Sequence, residues 1–413
     1  MQIQKRLYVI ILKYIQINLT NQNSTIKIQK VKYLNMIHIF RRNQQALIYL
    51  NKQISKFSTT TKTISKDPVV FDYSEISNKN LDLSDRIKEA YGPQGVGLCL
   101  VKNVPNYTKL RRDLLPLAYQ LATLPQNKLQ KLIKPEYFHC VGWSHGVEQF
   151  NGKYDVSKGS FYGFPLDDRP VKDLTPQQKE QGGFIVENVW PKEDLPQLEG
   201  AFKSFGTLMI STGTLLAYHI DKYVNAVDSS YKIGTLENVI GKGNGHLARL
   251  LHYFPSNDAK TVSDDWCGWH NDHGALTGLA SALYIDKDGK VLDNFFDVEG
   301  GLYAKNRFAE QQRLKIPQDY LAFQIGETAQ ILSGGIVEAT PHCVVRGPKT
   351  IGTGISRNTY ACFMQPNWDY VLTPPMKNKI QIKAAYGVPP LDKRWSEGLN
   401  FAQFGLNTLK AYS

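Results

Sequence analysis

The pentapeptide Trp269-His270-Asn271-Asp272-His273 carries the strongest structural signal in this chain. Residues two apart on a β-strand project from the same face, so His270 and Asp272 can present an imidazole and a carboxylate to one metal ion. His342, which ends the distant run Ala339-Thr340-Pro341-His342, can supply a third ligand from another strand. The spacing therefore predicts a metal site built from two imidazoles and one carboxylate.

The sequence from residue 247 onward consists of short apolar runs separated by turns, a texture typical of a β-barrel or a jelly roll. The predicted strands cover residues 247–254, 279–285, 301–304, 320–325, 330–332, 343–345 and 359–364. Ser333-Gly334-Gly335 is predicted to form a tight turn between two of these strands, because glycine adopts backbone conformations that other residues avoid. An apolar stripe at three-to-four-residue steps predicts a long helix over residues 195–224, with a phase slip at Gly213, that backs a sheet.

Nearly all of the net positive charge lies at the amino terminus. Residues 1–66 contain twelve Lys and Arg and no acidic residue, whereas the rest of the chain holds 37 basic and 37 acidic residues. An acid-free segment rich in Lys, Arg, Ser and Thr is typical of an organellar transit peptide. We expect residues 1–66 to be a basic targeting leader, disordered or cleaved, that begins at Met1 or Met36 and directs the protein to the mitochondrial matrix. The alternatives are a disordered tail rich in Asn, Gln, Ile and Lys, and a cytoplasmic protein.

The remaining composition narrows the possible partners. The balanced charge after the leader and the lack of a nucleic-acid motif argue against nucleic-acid binding. Ile10-Ile11-Leu12 is too short to cross a bilayer, so no membrane insertion is expected. The five cysteines are scattered and form no CxxC pair, which argues against a disulfide scaffold and indicates a reducing compartment. Cys267 and Cys343 lie near the proposed ligands and are alternative soft metal donors, although small buried thiols are common in protein cores.

A second group of residues follows His342. Arg357 and Thr359 are two residues apart on a predicted strand, so they also face the same way. A guanidinium beside a hydroxyl is a fitted receptor for a carboxylate, because the planar fork donates paired, charge-assisted hydrogen bonds. Two imidazoles and one carboxylate leave coordination positions open, which is typical of non-haem Fe(II) oxygenases.

Over roughly residues 68–404 the chain resembles the isopenicillin N synthase-like family of Fe(II)- and 2-oxoglutarate-dependent oxygenases. The motifs that carry the resemblance are Gly95-Val96-Gly97, Gly142-Trp143-Ser144-His145-Gly146, Asn188-Val189-Trp190-Pro191, Gln324-Ile325-Gly326-Glu327, Gln330-Ile331-Leu332-Ser333-Gly334-Gly335 and Ala339-Thr340-Pro341-His342. The resemblance implies that His270, Asp272 and His342 bind Fe(II). It also implies that Arg357 and Thr359 hold the distal carboxylate of 2-oxoglutarate, with O2 as the other cosubstrate.

Three features depart from the family pattern. Thr359 stands where relatives usually have Ser, and keeps the hydroxyl. The interval from His342 to Arg357 is longer than usual, which indicates an enlarged loop between strands. Relatives often have Tyr directly before the proline that corresponds to Pro255, where this chain has Phe254, and so Tyr253 becomes the candidate for contact with the cosubstrate.

The implied fold is mainly β with flanking helices around a double-stranded β-helix, or jelly-roll, core. We expect an amino-terminal α/β segment over residues 67–192, a long backing helix within 193–240, the oxygenase core over 241–375 and a helical tail over 376–413. Residues 136–165 and 386–404 are expected to face the substrate. Five aromatic residues are predicted either to wall the pocket or to pack in the core: Trp143, Phe161, Tyr162, Trp266 and Trp269.

These features together predict a dioxygenase that oxidises an unidentified small molecule by hydroxylation, desaturation or cyclisation, with succinate and CO2 as co-products. One alternative is an oxidase of the isopenicillin N synthase type, which uses the iron without 2-oxoglutarate and grips a substrate carboxylate with Arg357 and Thr359. Another is a non-catalytic subunit of a mitochondrial assembly, which would have no need for the ligand set. A zinc hydrolase is a further alternative, but it would leave the carboxylate receptor without a use.

Overall fold

A computed structural model describes most of the chain after the predicted leader. The described residues are 67–135, 140–147, 149–150, 153–170, 186–257, 267–305, 310–374 and 387–412. The leader over residues 1–66, Trp266 and the side chain of Cys267 lie outside them, so the predictions made for these parts stay predictions. The same holds for the predicted segment boundaries.

The strands of the described residues form a nine-stranded sheet, a four-stranded sheet and a two-stranded ribbon. Numbered in chain order, they are β1 (Val69–Asp72), β2 (Leu98–Lys102), β3 (Gly142–His145), β4 (Gln149–Phe150), β5 (Lys153–Tyr154), β6 (Lys158–Gly163), β7 (Leu247–Tyr253), β8 (Cys267–His270), β9 (Leu276–Ala280), β10 (Leu283–Ile285), β11 (Gly301–Lys305), β12 (Gln311–Leu314), β13 (Leu321–Ile325), β14 (His342–Val345) and β15 (Ser356–Met364).

Helices flank these sheets. In chain order the described α-helices are α1 (Tyr73–Ser77), α2 (Ser84–Tyr91), α3 (Tyr107–Ala122), α4 (Gln126–Leu132), α5 (Gln197–Val227), α6 (Thr235–Gly241), α7 (Glu327–Leu332) and α8 (Phe401–Tyr412). Short 3-10 helices cover Pro348–Thr350 and Leu391–Lys393. None of the helices in the described ranges is long and apolar enough to cross a bilayer.

The chain passes repeatedly between the two main sheets. The large sheet has the order β1-β2-β13-β9-β15-β7-β6-β3, with β10 beside β15, and the small sheet has the order β12-β11-β14-β8. From β7 onward the chain alternates between the sheets. The large sheet takes β7, β9, β10, β13 and β15, and the small sheet takes β8, β11, β12 and β14. The protein is therefore a mixed helix-and-sheet structure with a large sheet, and its strand order is compatible with the predicted jelly-roll core.

Helix α5 backs the outer face of the large sheet, as predicted from its apolar stripe. Phe202 on the helix packs edge-on against Tyr360 of β15, with 5.0 Å between ring centroids, and the Tyr360 hydroxyl donates to the Phe202 carbonyl at 3.1 Å. Gly213, where the stripe slips, faces the sheet so closely that a Cβ there would lie 2.5 Å from the Met364 sulfur. The phase slip in the apolar stripe therefore marks the position where the helix backbone packs directly against the Met364 side chain of the sheet.

The prediction of a strand over residues 330–332 is wrong. This run belongs to helix α7 (Glu327–Leu332), and Ser333-Gly334-Gly335 ends the helix instead of joining two strands. Gly334 and Gly335 have φ angles of 61° and 90°, and the Gly335 N–H donates to the Gln330 carbonyl at 2.9 Å. Such a glycine cap is a common helix terminus, and a short apolar run alone does not distinguish a buried helix from a strand.

Two buried histidines predict acid sensitivity of the fold. Burial lowers the pKa of both His246 and His252 to about 4. Between pH 6.5 and 4 the unfolded chain binds protons on these rings and the folded chain does not, so stability is lost as the pH falls through this range. Asp221 has the opposite effect, because burial raises its pKa to about 6.

We expect the urea unfolding free energy of the metal-free protein to fall between pH 7 and pH 5 by less in His252→Gln than in the wild type. Equal pH dependence in the two proteins would contradict a buried neutral His252.

Candidate metal centre and carboxylate receptor

His270, Asp272 and His342 converge on one point. Strands β8 and β14 are antiparallel neighbours, and His270 and His342 are Cα partners in their register. The His270 Nε2 atom lies 3.8 Å from Asp272 Oδ1, and the His342 Nε2 atom lies 3.8 Å from Asp272 Oδ2. The ligand-type atoms of the three residues all lie within 4.8 Å of one another. The structure thus brings together the three residues that the sequence predicted as ligands.

Backbone carbonyls orient both imidazoles. His270 Nδ1 lies 2.7 Å from the Gly268 carbonyl, and His342 Nδ1 lies 3.3 Å from the Thr340 carbonyl. A carbonyl oxygen can only accept, so each Nδ1 carries the proton and donates it. Each Nε2 therefore keeps its lone pair, directed at the common point. Hydrogen bonds of this kind fix the tautomer and the ring orientation of metal-binding histidines.

The protonation states at the centre also suit a metal. Burial would raise the pKa of Asp272, but the imidazoles of His342 and His270 outweigh it and hold that pKa below its ordinary value. Burial lowers the pKa of His342 to about 4. Near neutral pH the centre therefore presents an ionised carboxylate and a neutral imidazole, the forms that bind metals.

One carboxylate oxygen of the centre is in an environment that favours a bound cation. The Asp272 Oδ2 atom is buried and has no hydrogen-bond partner among the described residues. A buried carboxylate oxygen without a partner is costly, and a metal ion at the triad would remove that cost. Two imidazole nitrogens and a carboxylate match the donor set of the facial Fe(II) site. Cys343, the alternative donor, follows His342 on the strand and so projects from the opposite face.

The turn that carries the ligands is fastened to the carboxy-terminal tail. Asn271, between His270 and Asp272, donates its backbone N–H to the Tyr412 hydroxyl at 3.1 Å and its side-chain amide to Glu327 Oε1 at 2.9 Å. Glu327 pairs in turn with the Arg394 guanidinium through contacts of 2.6 and 2.7 Å, and both side chains are buried. We call this set the tail anchor: Asn271, Glu327, Arg394 and Tyr412.

The tail anchor was not predicted from the sequence. Glu327 stands in a motif that carried the family resemblance, but nothing marked its partner. Arg394 lies in a tail segment with no pattern that distinguishes it from a solvated arginine. Its role is visible only because folding places it against Glu327.

Arg357 lies in a row of paired residues across three strands of the large sheet. Its Cα partners are Tyr253 on β7 and Tyr284 on β10. The guanidinium carbon lies 4.8 Å from the centre of the Tyr253 ring, and the Tyr284 side chain shares a hydrogen bond with Arg357. All three side chains are buried. Tyr253, and not Phe254, is therefore the aromatic residue of that run beside Arg357, and Tyr284 is a neighbour that the sequence did not reveal.

Thr359 is on the same face of β15 as Arg357, but its hydroxyl is already engaged. The Thr359 Oγ1 atom donates to the Ala280 carbonyl at 2.8 Å. A hydroxyl has one proton, and a carboxylate can only accept. In this structure the predicted carboxylate receptor therefore has its charged donors on Arg357, with the Tyr253 ring and the Tyr284 side chain against the guanidinium and Thr359 beside them.

Two of the five aromatic residues predicted as pocket walls or core lie in the core. Phe161 and Trp143 are buried, and Phe161 packs against Phe202 of α5, so these two belong to the core. Tyr162 is half-buried, and the Lys305 ammonium lies 3.8 Å from the centre of the Trp269 ring.

The fold is shared with solved oxygenases. A 2OG-Fe(II) oxygenase family protein from Caulobacter crescentus is similar at a TM-score of 0.60 with 19% identity, over 84% of this chain and 99% of that one. A full-length Neurospora crassa protein, solved in complex with alpha-KG and 5-formyluracil, is similar at a TM-score of 0.59 with 18% identity. The match covers 85% of this chain and 98% of that one. The dioxygenase for auxin oxidation 1 from Arabidopsis thaliana is similar at a TM-score of 0.51 with 18% identity, over 75% of this chain and 96% of that one.

Sequence comparison alone gives no such relationship, because neither a protein-family model nor a curated protein matches the chain. At the identities found, the structural likeness concerns the fold, and it confirms the predicted resemblance at that level. The chain has the fold of 2-oxoglutarate- and Fe(II)-dependent oxygenases.

Proposed function

We propose that this protein is a non-haem Fe(II)- and 2-oxoglutarate-dependent dioxygenase that oxidises a small molecule. The convergence of His270, Asp272 and His342 carries the proposal, because a protein that uses the fold only as a scaffold has no need for three aligned ligand atoms. The strand order supports a double-stranded β-helix as the core. Among proteins of similar fold, JOX2 was solved with 2OG and Fe, and the Neurospora crassa protein with alpha-KG.

Each residue of the metal centre would have a defined role in binding iron. His270 and His342 would hold Fe(II) through Nε2, and Asp272 through its carboxylate. Bound iron supplies the chemistry that couples oxidative decarboxylation of 2-oxoglutarate by O2 to oxidation of the substrate. In a hydroxylation, one oxygen atom of O2 enters a C–H bond of the substrate and the other enters succinate, with release of CO2. The chain's own task is to position the reactants and exclude water.

The receptor around Arg357 would bind the distal carboxylate of 2-oxoglutarate. Tyr253 stacks on the guanidinium, and Tyr284 adds a hydroxyl. Tyr253 also belongs to an apolar cluster with Leu251 and Ala361, against which Val344 packs. Val344 is two residues after His342 on β14 and shares its face. The apolar cluster around the receptor is therefore in contact with the strand that carries His342.

Anaerobic titration with Fe(II), followed by assay of 2-oxoglutarate turnover, tests the proposal. We expect one Fe(II) per chain and slow, substrate-independent formation of succinate when air is admitted. Iron binding with O2 uptake but no succinate would favour the oxidase alternative. A failure to bind Fe(II) would favour a non-catalytic subunit that retains the fold.

Substitution of Arg357 tests the cosubstrate assignment. Charge-assisted hydrogen bonds contribute about 1.5–3 kcal/mol, so Arg357→Ala is expected to raise the KM for 2-oxoglutarate about ten- to a hundredfold. Thr359→Ala is the matched control on the same face, and it is expected to change this KM less than about threefold, because its hydroxyl donates to Ala280. Initial rates of succinate formation against 2-oxoglutarate concentration give both values. The reverse ranking would contradict the assignment.

We also propose that the protein acts in the mitochondrial matrix, without nucleic-acid partners or membrane insertion. The support is the acid-free, basic composition of residues 1–66. Import assays with isolated mitochondria, using chains that begin at Met1 and at Met36, test this location. Retention of both chains outside the organelle would favour the cytoplasmic alternative.

A further inference from the structure

The connection between strands β9 and β10 contains a β-bulge. Both strands pair with β15, with Leu279 opposite Ala361 and Leu283 opposite Asn358. Three residues, Ala280-Ser281-Ala282, therefore lie between these two pairs on one side of the ladder, whereas β15 has only two residues there. One extra residue in one strand of a pair defines a bulge, and bulges redirect the side chains that follow. We call these three residues the bulge.

The bulge decides which face of the sheet Tyr284 occupies. Leu279 and Tyr284 are five residues apart, and on a regular strand an odd separation places two side chains on opposite faces. Here Leu279 is the partner of Ala361 and Tyr284 is the partner of Arg357, and these two β15 residues share the face turned away from α5. Without the extra residue, the register would place Leu283 opposite Arg357.

The position of Tyr284 matters for the proposed carboxylate receptor. The Tyr284 side chain shares a hydrogen bond with Arg357, and a guanidinium can only donate. The phenol oxygen therefore accepts, and the phenol proton can be donated to a carboxylate bound at Arg357. A leucine in this place could neither accept nor donate. The bulge is thus the backbone feature that adds a phenol to the receptor.

Arg111 of helix α3 holds the bulge. Its Nε atom donates to the Ser281 carbonyl at 2.9 Å, and its Nη2 atom donates to the Ala282 carbonyl. The Arg111 side chain is buried, and these carbonyls are its hydrogen-bond acceptors among the described residues. The carboxylate of Asp293 is near, but it pairs with Arg112 at 2.6 Å. A buried polar group is costly without a partner, so the guanidinium and the two carbonyls stabilise one another.

Neutral hydrogen bonds fix the other groups of the bulge. The Ser281 N–H donates to the Tyr107 hydroxyl of α3 at 3.1 Å, and the Ser281 hydroxyl donates to the Gln318 carbonyl at 3.1 Å. Thr359, on the facing strand, donates to the Ala280 carbonyl at 2.8 Å. Hydrogen bonds from a charged donor are roughly twice as strong as neutral ones, and Arg111 contributes two of them. Arg111 is therefore the strongest contact that the bulge makes.

We propose that Arg111 is a positioning residue for the cosubstrate, because by holding the bulge it keeps Tyr284 beside Arg357. Helix α3 packs against α5 on the outer face of the sheet, with 5.7 Å between the ring centroids of Tyr107 and Phe205. Arg111 therefore acts on the receptor through the backbone of the bulge, from the opposite face. This inference rests on the proposed function and adds a residue that prepares the receptor for the distal carboxylate of 2-oxoglutarate.

The first test measures 2-oxoglutarate binding to the Fe(II)-loaded protein by calorimetry without oxygen. Arg111→Met is expected to weaken the affinity about five- to tenfold, as is Tyr284→Phe, because each removes the phenol from the receptor. Arg111→Lys keeps the charge but not the planar fork, and is expected to lose about two- to threefold. Leu216→Ala, a buried change on helix α5, is the control for a general loss of stability and is expected to keep wild-type affinity.

Two further measurements separate positioning from a general structural role. In a Tyr284→Phe background, Arg111→Met is expected to cost less than about twofold more, because the phenol that it positions is already gone. In the metal-free protein, Arg111→Met is expected to speed amide hydrogen exchange over residues 280–285, and Leu216→Ala is not. If Arg111→Met does not fold, Arg111→Lys enters the same comparisons.

The outcomes separate this inference from the proposed function. Unchanged 2-oxoglutarate affinity in a folded Arg111→Met protein, or an equal loss with and without the Tyr284 hydroxyl, would overturn the inference. Faster exchange over residues 280–285 without a loss of affinity would also overturn it, since Arg111 would then serve the fold alone. If Arg357→Ala loses binding and Arg111→Met does not, the inference fails and the proposed function stands. Wild-type binding in Arg357→Ala would contradict the receptor, and with it both proposals.

Discussion

Replacing His342 by Ala is expected to abolish Fe(II) binding at the triad and, with it, succinate formation. The variant keeps only His270 and Asp272 as ligands and leaves a void beside a buried carboxylate. Loss of residues that merely orient ligands costs about ten- to a hundredfold in metal affinity, so loss of a ligand is expected to cost at least about a hundredfold. Anaerobic calorimetry with Fe(II) measures the affinity directly.

Cys343→Ser is the matched control for this experiment. Cys343 is the next residue on β14, is fully buried and projects from the opposite face of the strand, so the change is nearly isosteric and leaves the triad intact. We expect wild-type Fe(II) affinity in this variant. Iron binding that survives His342→Ala but fails in Cys343→Ser would mean that the thiol is a ligand and the imidazole is not.

Replacing Arg394 by Gln is expected to lower both the stability of the fold and the affinity for iron. The change removes one partner of a buried ion pair and leaves the Glu327 carboxylate uncompensated, which typically costs about 3–5 kcal/mol. Glu327 also accepts from Asn271, between two of the ligands. Disorder in the tail anchor is therefore expected to weaken Fe(II) binding about tenfold or more, as for other residues that orient ligands.

Urea unfolding and Fe(II) calorimetry measure the two effects of Arg394→Gln. Tyr412→Phe is the milder control, since it keeps the ring and removes only the hydroxyl that accepts from the Asn271 backbone. In a double-mutant cycle, Glu327→Gln combined with Arg394→Gln is expected to cost less than the sum of the single changes, because the pair acts as a unit. Additive costs would show that Glu327 and Arg394 do not act as a pair, and an unchanged unfolding free energy in Arg394→Gln would show that the tail anchor does not contribute to stability.

The metal centre could be predicted from the sequence because its signal is local. His270 and Asp272 share a strand face through their spacing alone, and His342 begins a recognisable strand. The same spacing rule applies to Arg357 and Thr359. The texture of short apolar runs and the stripe of α5 likewise predict sheets backed by a long helix.

The features that could not be predicted from the sequence depend on the register between strands or on distant partners. Tyr284 joins Arg357 only because β10 pairs with β15. Arg394 reaches Glu327 only through the fold, and in the sequence it is indistinguishable from a solvated arginine. The run over residues 330–332 was predicted as a strand because a run of three residues is too short to show whether its apolar residues recur with the period of a helix or of a strand.

The most direct test of the central claim is the position of iron in crystals grown without oxygen and soaked with Fe(II) and 2-oxoglutarate. Anomalous diffraction at the iron edge is predicted to show one peak within bonding distance of His270 Nε2, the Asp272 carboxylate and His342 Nε2, with the distal carboxylate of 2-oxoglutarate at Arg357. An iron peak at any other place, or one bound by these residues with no position left for the cosubstrate, would contradict the account.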